Sequence, residues 1–185
     1  ARDFRDIGHK AIFLANAWRT LEVIGWQHAE PILRSLAYAM MYYGNESNPA
    51  TSDLAADRPW KQNAELLAKR PVANGNSRND VGAAKDLIAG IRIGTAQDTA
   101  KQAVEILTAG VSPNSVWDGV FVNAGELLMR QPGIVALHGL TTGNAVHYLA
   151  SQVKDETLRQ RLLLQCCSFN AMFRDAATGR GKLSS

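Results

Sequence analysis

The stretch DETLRQRLLLQCCSFNAMF, residues 155–173, decides the fold. Leu158, Leu162, Cys166, Phe169 and Phe173 recur at steps of three and four, the spacing that lines side chains along one face of an α-helix. Asp155 starts this helix. Working outward, Pro132-Gly133 resets the chain before a helix over 134–153, and Ser112-Pro113 opens another to Arg130. Helices are predicted over 80–93, which carries Gly82 and Gly90, and over 95–109, joined at Gly94. A short one covers 59–69. At the front, Ile7, Ala11, Leu14, Trp18 and Leu21 share one face of a helix over 3–24, while Ile12, Phe13, Val23 and Ile24 fall on others. That helix is therefore expected to pack on two sides, which places His9 and Asn16 against protein. Gly25 breaks it, and a second helix over 28–43, with Pro31 near its first turn, completes an αα-hairpin.

The intervening stretches 44–58 and 71–79, the latter with Asn74-Gly75-Asn76-Ser77, read as polar and mobile loops. No segment shows the alternating β-branched pattern of a strand. The fold class is all-α: antiparallel helix hairpins stacked in an irregular bundle, with a solenoid as a variant since no exact repeat is visible. One domain over 1–177 and a frayed tail over 178–185 are expected. The opening Ala1-Arg2-Asp3-Phe4, without Met, reads as the interior of a longer protein.

Composition narrows the function classes. The net charge of +3 arises from 20 basic and 17 acidic side chains with no like-charge run, so neither a nucleic-acid partner nor an anionic membrane is indicated. The longest wholly apolar stretch, near 36–41, is far short of the roughly 20 residues needed to cross a bilayer. Cys166 and Cys167 are adjacent on a helix, where a disulfide between them is geometrically implausible. A reducing, cytoplasmic setting is the expectation.

The four histidines, His9, His28, His138 and His147, all fall in segments that read as buried, and imidazole carries protons or ligates metals near neutral pH. A packed, hydrogen-bonded core histidine is the plainer reading of each. His138 and His147 are nine residues apart and so half a turn out of phase, and no H-x-x-x-H or E-x-x-H spacing exists. A metal site from His9, His28, Glu30 and His138 would rest on residue type without spacing, and no metal or cofactor is assigned. The segment 137–145 (LHGLTTGNA) is unusually polar for a packed helix. Thr141, Thr142 and Ala145 share a face with His138, and Gly139 and Gly143 admit a close neighbour. It reads either as a pocket wall or as tight packing with the threonine hydroxyls bonded back to the helix. Phosphate-loop, nucleophile-elbow and C-x-x-C signals are absent. Trp18, Trp26, Trp60, Trp117 and the Tyr38, Tyr42 and Tyr43 cluster can line an aromatic pocket, though at helical spacing they read more readily as core.

DIGHKAIFLA (6–15) and ALHGLT (136–141) resemble the Gly-His and His-x-x-Thr segments of questin oxidase-like proteins, a helical family. The resemblance covers about 30 residues in two patches, and Lys10 stands where that pattern carries proline. It implies oxidative, Baeyer–Villiger-type cleavage of anthraquinone-like rings, with His9 and His138 facing a common pocket. The expectation is an oxidase-like helical protein with His9 and His138 as acid/base groups and a pocket formed by Asn16, His28, Glu30, Thr141 and Asn144. The expected partners are a small apolar or aromatic ligand and further copies of the chain in a homo-oligomer. The competing expectation is a non-catalytic helical scaffold or protein-interaction module. Two imidazoles bordering one cavity within about 8 Å would favour the enzyme.

Overall fold

A computed structural model of the chain describes residues 5–41, 47–48, 50–70 and 77–180. Among these are eight α-helices and no strand: α1 (His9–Ile24), α2 (Ala29–Met40), α3 (Arg58–Lys69), α4 (Val81–Ile93), α5 (Ala96–Thr108), α6 (Pro113–Arg130), α7 (Ile134–Gln152) and α8 (Glu156–Thr178). A 3₁₀ turn, Trp26–His28, joins α1 to α2, and an isolated bridge pairs Arg78 with Val111. Four of the eight described helices, α4, α5, α6 and α8, start where a side chain satisfies an open N–H group. Asp80 accepts from Ala83 N, Thr95 and Asp98 form a reciprocal capping box, Ser112 accepts from Asn114 N, and Asp155 accepts from Leu158 N.

The helix that decides the fold lies at its centre. α8 packs against α3, α4, α5, α6 and α7. Residues 162–171 are buried all round, so its apolar stripe is wider than the sequence spacing suggests. Phe169, Phe173, Leu163 and Leu164 are fully buried there, each contributing about 1.5–3 kcal/mol relative to an exposed side chain. The polar residues caught inside are paired. Asn63 donates to Gln165 and Ser168 at 3.2 Å each, the Ser168 hydroxyl donates to Ala96 O, and Asn170 donates to Cys166 O. Arg174 donates to the carbonyls of Ile91 and Gly94, closing the C-terminal end of α4. Sequential pairs such as α1/α2, α4/α5 and α6/α7 pack as the expected hairpins, and the sheathed α8 makes the whole a bundle.

Several boundaries differ from the sequence reading. The first helix begins at His9, not at 3, because Ile7 and Gly8 hold positive φ values of 43° and 88° that no α-helix accommodates. The loop expectation for 44–58 is met over 47–48 and 50–57, while residues 42–46 (with Tyr42 and Tyr43), 49, 71–76 and the tail 181–185 lie outside the described residues. α8 runs through Thr178, so the tail starts later than expected.

α1 packs against α2 and α7, as two-sided packing requires, but its outer face stays open. Among the described residues, α2 touches only α1 and the 3₁₀ turn and buries none of its residues. Trp18 and Trp26 meet edge to face on this open hairpin. No described helix is long and apolar enough to cross a membrane.

Candidate functional site

The segment before α1 is set by one buried ion pair. Arg5 grips the Asp57 carboxylate with two nitrogens, at 2.6 and 3.1 Å, and the Asp57 side chain is sealed from solvent. Burial works to raise the Asp57 pKa, but hydrogen bonds from Arg5 and Ser52 and the Arg5 charge outweigh it and hold the carboxyl below its ordinary value. From this anchor the chain turns through Ile7 and Gly8. Thr142 donates its hydroxyl to Ile7 O at 3.1 Å, and a Cβ on Gly8 would stand only 2.0 Å from that same hydroxyl oxygen. A β-branched residue in the left-handed region is strained, and such strain concentrates where a side chain must be held in one place.

The side chain held here is His9. Its Nδ1 lies 3.1 Å from Asp6 Oδ1, its ring stacks nearly parallel on Phe13 at 5.5 Å, and its Nε2 meets Nε2 of His138 at 2.7 Å. His138 is buried and its Nδ1 lies 2.6 Å from Ile134 O, one turn back on α7. The two rings are perpendicular, with centroids 4.6 Å apart. Hydrogen placement follows from the partners. An ionised carboxylate and a carbonyl only accept, so both Nδ1 atoms carry hydrogen. Two neutral rings would then face each other with lone pairs across 2.7 Å. A proton shared between the Nε2 atoms would turn that repulsion into a charge-assisted hydrogen bond, with the Asp6 carboxylate beside it.

Of the seven residues singled out from sequence, the structure joins His9 and His138 and disperses the rest. Asn16, His28 and Glu30 are exposed, which corrects the expectation that Asn16 lies against protein and that the His28 region is buried. Asn16 falls on the outer face of α1, and His28 sits in a hairpin that no other described residue covers on its far side. Glu30 pairs with Arg34 on the surface of α2. Thr141 bonds back to Leu137 O, the packing alternative, whereas its neighbour Thr142 makes the contact to Ile7. Asn144 is exposed and accepts from Arg19 at 2.8 Å. No group of three or more His, Cys, Asp or Glu side chains among the described residues could hold a metal ion, so the set His9, His28, Glu30 and His138 does not assemble.

The sequence reading missed Arg5, Asp6, Asp57 and Thr142 as supports. The available signal for Asp6 was its i,i+3 spacing to His9; nothing in the sequence links Asp57 to Arg5.

His147 belongs elsewhere. It is exposed rather than buried, and its ring meets Trp117 and Phe121 edge to face at 4.8 and 5.4 Å. Partial burial, followed by the charge of Arg19, lowers its pKa. Beside it a partly open groove of about 340 Å³ runs between α6, α7 and the start of α8. Both cysteines are free and buried; burial, and for Cys166 also its neighbour, pushes the thiols up, Cys167 to about 12. No family model, curated protein or solved structure matches this chain.

Proposed function

We propose that this chain is a helical, oxidase-like enzyme whose acid–base centre is the Asp6–His9–His138 relay. The observation that carries the reading is the 2.7 Å Nε2 to Nε2 contact between two rings whose other nitrogens already face acceptors. Two imidazoles meeting at one seam have the geometry a general acid or base needs. His138 is buried and anchored to Ile134 O, so it stores the proton. His9 keeps a third of its side chain exposed and carries Phe13 as a parallel neighbour. A small aromatic ligand with an acidic hydroxyl would approach along that exposed edge and stack by Phe13. The resemblance to questin oxidase-like proteins adds the substrate class, hydroxylated anthraquinone-like rings, with one oxygen atom of dioxygen entering the ring and the other reduced to water by two electrons from an added reduced nicotinamide. A cytoplasmic setting accords with two unpaired thiols.

The test is to incubate the protein with hydroxyanthraquinones and reduced nicotinamide in air and follow ring absorbance and oxygen uptake, with His9→Gln and His138→Gln alongside. Turnover that both substitutions abolish while helical content is kept supports the reading. Turnover absent in the parent protein, or equal in all three, overturns it.

A second reading is favoured by one observation: every nitrogen of the two rings already has a partner. On that reading the pair fastens α1 to α7 in a non-catalytic scaffold. The open α1/α2 hairpin, with Trp26 and Tyr38 exposed, then serves as its interaction or self-association surface. It predicts that His138→Gln lowers the melting temperature and changes nothing else.

A further inference from the structure

The groove beside His147 has an apolar floor and an unusual share of open polar groups. Trp117, Leu163 and Ala150 form the floor, with Pro113 at one end. Among the described residues, the indole N–H of Trp117, both ring nitrogens of His147 and the side-chain amide of Asn114 have no hydrogen-bond partner. Trp117 is 8% exposed. Since no sealed side-chain nitrogen or oxygen is left unpaired, the exposed part of Trp117 includes its N–H. A buried indole that keeps its donor open toward a groove is set up to receive an acceptor.

The charges around the groove cancel. Arg159 pairs with Glu156, and Gln160 donates to that carboxylate at 3.3 Å. Burial and the nearby Arg19 favour the neutral form of His147. A carboxylate drawn to Arg159 would meet Glu156, and an ammonium the reverse, so neither sign of charge is selected. What remains is a flat apolar surface bordered by a donor (Trp117), a ring nitrogen that accepts (His147) and an amide that does both (Asn114). The volume is at the lower end of the ~300–1,000 Å³ range of small-molecule sites, room for one or two rings.

We infer that the α6/α7/α8 groove is a binding site for a small, uncharged, planar aryl amide or lactam. Its carbonyl accepts from the Trp117 indole and its N–H donates to His147 or Asn114, while its ring lies on the floor between Trp117 and Leu163. This site is separate from the Asp6–His9–His138 relay, since His147 and His138 stand on opposite sides of α7 and contact different helices.

The experiment is a titration of the full-length ¹⁵N-labelled chain with benzamide, benzoate or benzylammonium at constant pH, read at the Trp117 indole, the His147 ring and the Asn114 amide. Benzamide should shift all three saturably, with benzoate and benzylammonium at least about tenfold weaker because each leaves a charge or donor unmatched, roughly 1.4 kcal/mol by the usual conversion. Trp117→Phe keeps a ring in the floor but deletes the donor, and should weaken benzamide about five- to tenfold. Ser151→Trp, at an exposed position on the rim, should fill the groove and remove the shifts. The inference is overturned if benzamide gives no saturable shift, if the three probes act alike, or if the response survives Ser151→Trp. The readout is binding, so it stands or falls independently of any turnover at the histidine pair.

Discussion

His138 and His147 occupy one helix and share one residue type, yet they face opposite fates. At the N-terminal end of α7, His138 is buried, both its nitrogens are engaged, and a strained turn is pressed against it by Thr142 and a sealed ion pair. At the C-terminal end, His147 leans edge-on against Trp117 and Phe121 beside an open groove, with its nitrogens unbonded among the described residues. The difference teaches that a helix position assigns a direction, while the partner arriving from elsewhere assigns the chemistry. α1 arrives at His138 carrying another imidazole; α6 arrives at His147 carrying aromatic carbon.

The contrast can be broken hardest at the closed end. Asp57→Ala strips the partner from a buried guanidinium and should cost about 3–5 kcal/mol, read by denaturant unfolding. It should also free residues 5–8 and disorder His9. A loss under about 1 kcal/mol would mean that the Arg5–Asp57 pair does not anchor that turn. The same pair has a pH signature. Because the folded Asp57 pKa is depressed, its contribution is fully present above the ordinary carboxyl value of 3.8 and is lost as pH falls below it through the folded value. The parent should therefore lose stability over that acid range more steeply than Asp57→Ala does.

Next in size is Gly8→Ala. The positive φ and the 2.0 Å approach to Thr142 predict a loss of about 1–3 kcal/mol together with a changed His9–His138 geometry. A low-field, exchange-protected imidazole proton in the parent that vanishes in this variant would sharpen the picture; its absence from the parent would remove the shared proton.

At the open end the effects shrink. His147→Ala should change stability by no more than about 0.5 kcal/mol, since the residue is exposed and meets Trp117 and Phe121 only edge to face. By NMR, His147 should titrate below the ordinary imidazole value of 6.5, because burial and Arg19 both disfavour its charged form. A midpoint at or above that value would remove the neutral lining attributed to the groove. The smallest expected effect is chemical silence: the native Cys166 and Cys167 thiols should resist alkylation at mildly alkaline pH, as mass spectrometry would show, and react only on unfolding.

Much of the fold was legible because its signals are local. Prolines 113 and 132, glycines 25 and 94, and the stripe through Leu158 and Phe173 mark helix limits within a few residues of where they fall. The site was half legible. His9 and His138 were singled out by the resemblance of 6–15 and 136–141 to questin oxidase-like segments, beside the unusually polar run 137–145. Asn16, His28 and Glu30 were grouped with them on the premise that a mostly apolar helix is covered on all sides, and the described α1/α2 hairpin is not; Asn144 came from the polar run 137–145 but faces Arg19 at the surface. Trp117 was noted only as an aromatic; its open indole depends on where α8 begins.

What the chain alone determined is its helices, their ends and the opposite facing of His138 and His147, because 3.6-residue periodicity and capping chemistry act within a few residues. Tertiary structure decided which imidazoles meet. Positions 9 and 138 are joined by packing of α1 on α7, and positions 5 and 57 by an ion pair, contacts between residues far apart in sequence that no local pattern encodes.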